Sequence, residues 1–131
     1  MMESSAHFNK PHIVVSDVDH RRLTEMADAA TGPFADVGET LHAEMERAEI
    51  VAANSVPMDV VQMGSTVEFR SETGERRTLT LVFPGDADIA ANRISILTPV
   101  GVALIGLKVG QSIQWAARDG SSHELTVERV S

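Results

Sequence analysis

The run ISILTPVGVALIGLKVG, residues 94–110, carries the strongest structural signals in this 131-residue chain. Its first four residues follow the pattern of a short apolar strand. Thr98 and Pro99 then stand where a helix prefers its N-cap residue and its first-turn proline. Apolar residues, including Val102 and Ala103, follow that proline. The run therefore predicts a strand that leads directly into a short buried helix.

Strand patterns lie on both sides of this run. Upstream, TVEFR and RRTLTLVF alternate apolar and polar residues around a glycine turn, SETGE, which predicts a β-hairpin. The apolar positions of this hairpin are Val67, Phe69, Leu79 and Leu81. PGDADIAANR predicts a polar loop, while VGQSIQWAA and SHELTVERV predict two strands joined by a tight Asp-Gly turn. From about Met58 onward we therefore expect an antiparallel sheet with one short helix.

Before Met58 the apolar residues recur about every 3.6 residues, whereas after it they recur at every second residue. A first helix is predicted after Ser16 or Asp17 as cap, and a second after Asp36 as cap, with the turn at TGPF between them. The apolar stripes are Leu23, Met26, Ala27 and Ala30 in the first helix, and Val37, Leu41, Met45, Ala48 and Ala52 in the second. Two such helices bury their stripes against each other. We therefore predict an antiparallel helical hairpin, a coiled-coil stub, at about residues 16–53.

The predicted organisation is an α+β chain in two parts. Residues 1–57 comprise a disordered start and the helical hairpin, and residues 58–131 comprise the sheet domain. Asn54 to Pro57 end the helical pattern and mark the boundary between the two parts.

The charge and composition exclude several classes of function. The net charge is −8 and the pI is about 5.0, a negative field that repels nucleic-acid backbones, so direct nucleic-acid binding is not expected. The chain contains no cysteine and shows no export signal or membrane-spanning run, so we expect a cytoplasmic protein.

The chain also lacks the motifs that would indicate catalysis or a bound cofactor. Its five histidines are scattered without an H-E-x-x-H spacing, and neither G-x-S-x-G nor a phosphate-binding glycine loop occurs. Trp115 stands alone on a predicted strand and is interpreted as an inward-facing packing residue. We therefore predict no enzyme activity, no catalytic residue, no metal site and no cofactor.

Three longer segments resemble the Rnk family: VVQMGSTVEFR, TLTLVFPGDAD and ISILTPVGVALIGLKVGQSIQW. The first half agrees, since IVVSDVDHRRL, ETLHAEMERAEIV and VPMDVVQM look like the short N-terminal region of Rnk proteins. Rnk proteins, named as regulators of nucleoside diphosphate kinase, are related to the Gre transcript-cleavage factors. The resemblance implies a C-terminal domain with an FK506-binding-protein-like fold. It also implies binding to RNA polymerase near its secondary channel, in competition with Gre-type factors.

The resemblance to the Gre factors assigns polymerase docking to the loop before the short helix. The implied docking residues are Leu97, Thr98, Pro99, Val100 and Gly101. The alternative interpretation is purely structural, with Thr98 as helix cap, Pro99 in the first turn and Gly101 in a tightly packed position. The apolar cluster of Leu104, Ile105 and Leu107 is expected in the core, with an exposed docking patch as the alternative.

The tip of the helical hairpin is the second candidate site. Its residues are Asp28, Thr31, Phe34 and Asp36. A transcript-cleavage factor must carry an acidic tip far into the polymerase channel to hold a magnesium ion. Helices of about 13 to 17 residues make a hairpin of only about 20 to 25 Å, at 1.5 Å per residue. Transcript cleavage is therefore disfavoured.

Two other functions stay open beside polymerase binding. A peptidyl-prolyl isomerase would share the implied fold, but such enzymes line their pocket with aromatic residues, and this chain has four Phe, one Trp and no Tyr. A direct protein effector of nucleoside diphosphate kinase is the other alternative. The oligomeric state is not determined by the sequence, and a monomer is expected.

Overall fold

The structure is a computed structural model that describes residues 10–131. The predicted disordered start falls mainly on residues 1–9, which lie outside the described residues. The strands are β1 (Val14–Ser16), β2 (Glu49–Val51), β3 (Thr66–Ser71), β4 (Arg76–Val82), β5 (Arg93–Ser95), β6 (Ser112–Ala116) and β7 (Ser122–Val130). The helices are α1 (Asp17–Ala29), α2 (Ala35–Arg47) and α3 (Pro99–Leu104).

The helical hairpin begins at the predicted cap. The Oγ of Ser16 accepts a hydrogen bond of 3.0 Å from the backbone N–H of Asp19. The second predicted cap is wrong, because a 3₁₀ turn at Gly32–Phe34 runs directly into α2 and leaves Phe34 at the cap position. Asp36 instead lies in the first turn of α2, where a carboxylate is favoured by the helix dipole.

The two helices are antiparallel, as predicted. His20 near the start of α1 contacts the carbonyl of Met45 near the end of α2, at 3.0 Å, while Gly38 early in α2 packs on Ala30. Each helix has 13 residues, so each is about 20 Å long at 1.5 Å per residue. The hairpin is therefore short.

The second helix ends earlier than predicted. It stops at Arg47, and the next residues form β2, which pairs in parallel with β1, Val15 lying opposite Ile50. The β-branched Ile50 and Val51 favour an extended backbone, which competes with continuation of the helix. The end of the predicted disordered start, Val14–Ser16, is therefore ordered as a strand.

Strands β3 to β7 form one five-stranded sheet in the order β5-β4-β3-β7-β6. Pairs β3–β4, β3–β7 and β6–β7 are antiparallel, as predicted, but β4 and β5 are parallel, which corrects the expectation of a fully antiparallel sheet. The connection of residues 83–92 carries the chain back along β4 before β5 begins. Asn92 completes that reversal with a left-handed φ of 60°.

One hydrophobic cluster joins the hairpin to the sheet. Within it, Leu23 and Leu41 of the hairpin and Leu81 and Leu104 of the sheet domain are each 0% exposed. The predicted apolar positions Val67, Phe69, Leu79 and Leu81 are all buried, as are Leu104, Ile105 and Leu107. The core interpretation of those last three residues is confirmed. The division of the chain at residue 57 stays a prediction.

Backbone hydrogen bonds attach the base of the hairpin to the segment after α3. The carbonyl of Gly106 accepts from the N–H of Val14 at 3.2 Å, and the N–H of Gly106 donates to Val61 at 2.9 Å. Gly106 has a φ of +81°, and a Cβ there would lie 2.8 Å from the Cβ of Ile13, so glycine is required at this junction.

None of the helices formed by residues 10–131 is long and apolar enough to span a membrane.

Candidate functional site

The predicted docking loop is a rigid helix start. The Oγ1 of Thr98 donates to the carbonyl of Ser95 at 2.8 Å and accepts from the N–H of Gly101 at 3.0 Å. The N–H of Leu97 donates to the Oγ of Ser95 at 2.9 Å. Pro99 occupies the first turn of α3, where its missing N–H costs nothing. The cap interpretation of Thr98 and Pro99 is therefore confirmed.

Close packing determines the residue at position 101. A Cβ on Gly101 would clash with the carbonyl oxygen of Ser95 and lie 2.9 Å from the Cα of Ile96. Leu97 is 9% exposed and Gly101 is buried, whereas Thr98, Pro99 and Val100 are half-buried. Only these last three residues present a substantial surface to a partner.

The hairpin tip lies beside the docking loop, a proximity that the sequence does not predict. A cleft, here called the tip cleft, is bounded by Met26 and Ala29 of α1, Thr31 and Phe34 of the hairpin tip, and Phe83 and Leu97 of the sheet domain. Phe34 is 43% exposed. Two predicted sites that are far apart in sequence thus contribute to one surface.

A second cleft, here called the edge cleft, is lined mainly by residues of α2, α3 and β6. Pro33 and Asp36 of the hairpin face it together with Pro99 of the docking loop and Trp115 of β6. Leu97 therefore contributes to one cleft and Pro99 to the other, so the docking loop separates the two.

The two acidic residues of the predicted tip do not converge. Asp28 lies 3.3 Å from the Nδ1 of His42 on the neighbouring helix, whereas Asp36 lines the edge cleft. Within residues 10–131 no group of three or more His, Asp or Glu side chains could hold a metal ion. The tip therefore offers no arrangement of carboxylates suited to magnesium.

Sequence reasoning missed most of the residues that line the tip cleft, among them Arg22 and Phe83. The Arg22 guanidinium lies 4.1 Å from the centre of the Phe83 ring, a cation–π contact that covers part of the ring. Phe83 is the last residue before Pro84, where β4 has ended, so the alternation of the strand gives no signal for its position. Only the three-dimensional contact of α1 with this loop identifies the pair.

A polar chain at the hairpin of β6 and β7 was also missed. The Oγ of Ser121 lies 2.9 Å from the Nε2 of His123, whose Nδ1 lies 2.9 Å from the carboxylate of Glu72. The Ser121 hydroxyl, however, donates a hydrogen bond of 2.6 Å to the carboxylate of Asp119, and Ser121 is exposed between the two strands. The arrangement therefore lacks the free nucleophile and the enclosed site that a hydrolase needs.

Hydrogen bonds to this cluster alter two carboxylates. The N–H of Glu124 and the ring of His123 lower the pKa of Glu72 from 4.5 to about 2. The hydroxyl and the N–H of Ser121 lower the pKa of Asp119. Both carboxylates are therefore favoured in their ionised form, in which they accept the hydrogen bonds that order this turn.

Trp115 packs against the core, as predicted, but is not fully enclosed. Its ring lies 5.1 Å from that of His123 at an angle of 32°, and it also lines the edge cleft. Its Nε1 is buried and has no hydrogen-bond partner among residues 10–131. The residue therefore connects the sheet core to the edge cleft.

Two family descriptions match the chain. Residues 56–131 match the family described as "Transcription elongation factor, GreA/GreB, C-term", and residues 11–51 match "Rnk N-terminus". Together they define the class of protein, a short helical hairpin joined to a GreA/GreB-type C-terminal domain.

Individual relatives agree with this class. The regulator of nucleoside diphosphate kinase of Escherichia coli K12 is 35% identical over 120 residues, covering 91% of this chain and 88% of that protein. Transcription elongation factor GreA of Rhodospirillum rubrum is 41% identical over 85 residues, covering 63% of this chain and 54% of its own length. The solved structure of a GreA/GreB elongation factor from Nitrosomonas europaea is 40% identical, with a TM-score of 0.72, and covers 93% of this chain and 99% of its own.

The chain therefore belongs to the Rnk family, with a C-terminal domain of the GreA/GreB type. The named relatives are regulators and elongation factors, not enzymes.

Proposed function

We propose that this protein is a noncatalytic transcription regulator that binds RNA polymerase near the secondary channel and competes there with Gre-type factors. Its effect on nucleoside diphosphate kinase levels would follow from transcription. The observation that carries the proposal is the docking loop on a GreA/GreB-type domain. Thr98 caps α3 through two hydrogen bonds, so that Pro99 and Val100 are held half-exposed in one fixed geometry.

The charge supports a basic partner surface. A net charge of −8 favours association with a positive surface, and complementary charge accelerates docking and makes it sensitive to salt. Because bacterial RNA polymerase works in the cytoplasm, we expect the protein to act there.

The hairpin argues against transcript cleavage as part of this function. Its helices of 13 residues are about 20 Å long, and Asp28 and Asp36 face different surroundings. A short tip without converging carboxylates is unsuited to delivering a magnesium ion. We therefore propose that the protein regulates by occupying the polymerase entrance and that it catalyses no reaction there.

The two alternatives gain less support. The aromatic residues within positions 10–131 are divided among separate places, with Phe69 in the core, Phe34 and Phe83 at the tip cleft, and Trp115 at the edge cleft. That distribution does not resemble the aromatic pocket of a peptidyl-prolyl isomerase. The FK506-binding-protein-like fold and a direct effect on nucleoside diphosphate kinase both stay predictions.

The test is a titration of the protein against core RNA polymerase at two salt concentrations, with a Gre factor as competitor. Pro99→Glu places a charge on the docking surface at a helix position that tolerates acids, so it should leave the fold intact. Pro99→Ala is the conservative partner of this variant. Met58→Glu is the matched control, because Met58 is 92% exposed and lines neither cleft.

We expect saturable binding that the competitor displaces, that added salt weakens and that Pro99→Glu reduces at least about tenfold, or about 1.4 kcal/mol. Met58→Glu should bind as the unchanged protein does. An absence of binding at tens of micromolar would refute the proposal, and equal binding by Pro99→Glu would remove the docking loop from it.

A further inference from the structure

Strand β6 leaves one edge of the five-stranded sheet unpaired. It is the last strand in the sheet order and pairs with β7. The N–H of Val127 donates to the carbonyl of Gln111 at 3.0 Å, and the N–H of Ala117 donates to the carbonyl of Ser121 at 2.9 Å. Because hydrogen-bonded residues alternate along an antiparallel pair, the odd-numbered residues of β6 bond to β7. The backbone groups of the even-numbered residues point away from the sheet, and these residues are Ser112, Gln114 and Ala116.

These backbone groups face the edge cleft. Every residue from 112 to 118 lines that cleft, although successive side chains of a strand lie on opposite faces of the sheet. A cleft lined by both sets of side chains runs along the edge of the strand. Ser112, Gln114 and Ala116 are all exposed, and their backbones make no hydrogen bond to another element within residues 10–131. Such an edge binds an extended chain, which adds a strand through main-chain hydrogen bonds.

The rest of the edge cleft is largely apolar. Helix α3 packs against both α2 and β6 and so lies between them. Its Val102 and Ala103 line the cleft together with Val37 of α2 and Ile113 of β6. An added strand would therefore find hydrogen-bond partners on β6 and apolar contacts for one of its two faces.

The chain before β1 enters the edge cleft at the start of β6. The Nε2 of Gln111 donates to the carbonyl of His12 at 3.1 Å. Lys10 already lines the cleft, with its Nζ 3.3 Å from the carboxylate of Glu44. From His12 back to Lys10 the chain thus leads away from the residue that precedes β6 and into the cleft. If it continues in that direction along β6, it runs antiparallel to the strand.

The segment that precedes Lys10 is long enough to cover β6. Residues 1–9 lie outside the described residues, and at about 3.3 Å per residue they can span about 30 Å. The five residues of β6 span about 17 Å.

The sequence of that segment, MMESSAHFN, also has the pattern of a strand at its end. Ala6 and Phe8 alternate with the polar residues Ser5, His7 and Asn9. Beside β6, Ala6 and Phe8 could share the face of Ile113 and Trp115, while His7 and Asn9 remained in water. A strand this short needs a partner, which the sequence alone does not reveal.

We propose that residues 1–9 bind in the edge cleft as an antiparallel strand along β6, with Phe8 on the face of Trp115. The main chain of the segment then pairs with Ser112, Gln114 and Ala116 and covers the exposed edge of the sheet. Pro99 of the docking loop lines the same cleft, so the segment lies beside the surface proposed to bind polymerase. The inference itself does not rest on that function, since it concerns contacts within one chain.

Hydrogen exchange on the full chain tests this pairing. We expect the amides of Ser112, Gln114 and Ala116 to exchange at least about tenfold more slowly in the unchanged protein than in Phe8→Glu, which places a charge against the apolar side of the cleft. His7→Glu is the matched control, because its side chain faces water in the proposed strand and its amides should stay protected. The amides of β5, at the opposite edge of the sheet, should exchange equally in all three proteins.

The single tryptophan, Trp115, provides a second measurement. Acrylamide should quench its fluorescence less in the unchanged protein and in His7→Glu than in Phe8→Glu, since Phe8 shields the indole.

Equal exchange of the three β6 amides in the unchanged protein and in Phe8→Glu would overturn the inference. Equal loss of protection in His7→Glu would overturn it as well, because the alternation would then not matter. Protection that disappears on dilution would assign the edge to a second copy of the chain instead. Polymerase is absent from these measurements, so their failure leaves the proposed function standing.

Discussion

Gly38 of α2 packs directly on Ala30, which follows the last residue of α1. A Cβ on Gly38 would lie 2.5 Å from the Cβ of Ala30 and 3.1 Å from the carbonyl oxygen of Ala27. The two helices therefore approach closely at the tip because position 38 has no side chain. Phe34 lies four residues earlier, at the cap position of the same helix.

Substitution of that glycine should open the hairpin tip. We expect Gly38→Ala to lower the free energy of unfolding, because overpacking costs about 1–3 kcal/mol and exceeds the gain of about 1 kcal/mol in helix propensity. Urea denaturation measures the difference. Glu39→Ala is the matched control on an exposed position of the same turn, with an expected change within about 0.5 kcal/mol. Equal stability of Gly38→Ala and the unchanged protein would show that the close contact is dispensable.

The buried carboxylate of Glu44 carries a second prediction. Glu44 is 2% exposed and receives hydrogen bonds from Arg47 to both oxygens, at 3.0 and 2.8 Å, and from Lys10 at 3.3 Å. Arg47 also donates to the carbonyl of Pro11, so this network attaches the chain before β1 to α2. We expect Glu44→Gln to lower the free energy of unfolding by about 2 kcal/mol, since it leaves the partly buried guanidinium of Arg47 without its anion.

The control for this variant is Glu46→Gln on the same helix. The Glu46 side chain is 70% exposed and lies 3.5 Å from His42, so its loss should change the stability by less than about 0.5 kcal/mol. Chemical denaturation of both variants gives the comparison. If Glu44→Gln had the same free energy of unfolding as Glu46→Gln, the network would not stabilise the fold.

Glu72 gives a prediction on pH. Its pKa is lowered from 4.5 to about 2 by the N–H of Glu124 and the ring of His123, so the ionised form is favoured in the folded protein. A group of this sign contributes stability above pH 4.5 and loses that contribution as the pH falls from 4.5 toward 2. We expect Glu72→Gln to melt below the unchanged protein at pH 7, with the gap narrowing below pH 4.5.

Melting temperatures of both proteins at several pH values from 7 to 3 test this expectation. Glu75→Gln is the control in the same turn, since Glu75 forms no ion pair among residues 10–131. This variant should have the melting temperature of the unchanged protein at every pH. A gap between Glu72→Gln and the unchanged protein that stays constant across this range would contradict the assigned hydrogen bonds.

Local patterns predicted the elements of the fold well. The alternation around SETGE gave β3 and β4 with Val67 and Leu81 buried, and Ser16 caps α1 as its position indicated. The failures were of a different kind, because β1 and β2 pair over only three residues each and β5 is parallel to β4. Such short pairings depend on partners distant in sequence, so no local period reveals them.

The candidate site shows the same division. The helix start at Thr98 and Pro99 was readable from residue types alone, because capping and proline placement are local effects. The sequence does not predict that Phe34 and Leu97 line one cleft, since this depends on how the hairpin packs on the sheet domain. The resemblance assigned a role to each part separately, and only the structure joins them.

The cap of α3 yields the last prediction, which separates stability from docking. Thr98→Val keeps the shape of the side chain but removes both the hydrogen bond to Ser95 and the one from Gly101, at an expected cost of about 1–2 kcal/mol. Thr98→Ser retains the hydroxyl and should lose less than half of that amount. Because the cap holds Pro99 in place, we expect Thr98→Val also to bind polymerase more weakly than Thr98→Ser under conditions where both are folded. Chemical denaturation and the polymerase titration are carried out on the same two variants. A loss of stability without a loss of binding would mean that the loop regains its geometry on the partner. The cap would then stabilise the fold without contributing to docking.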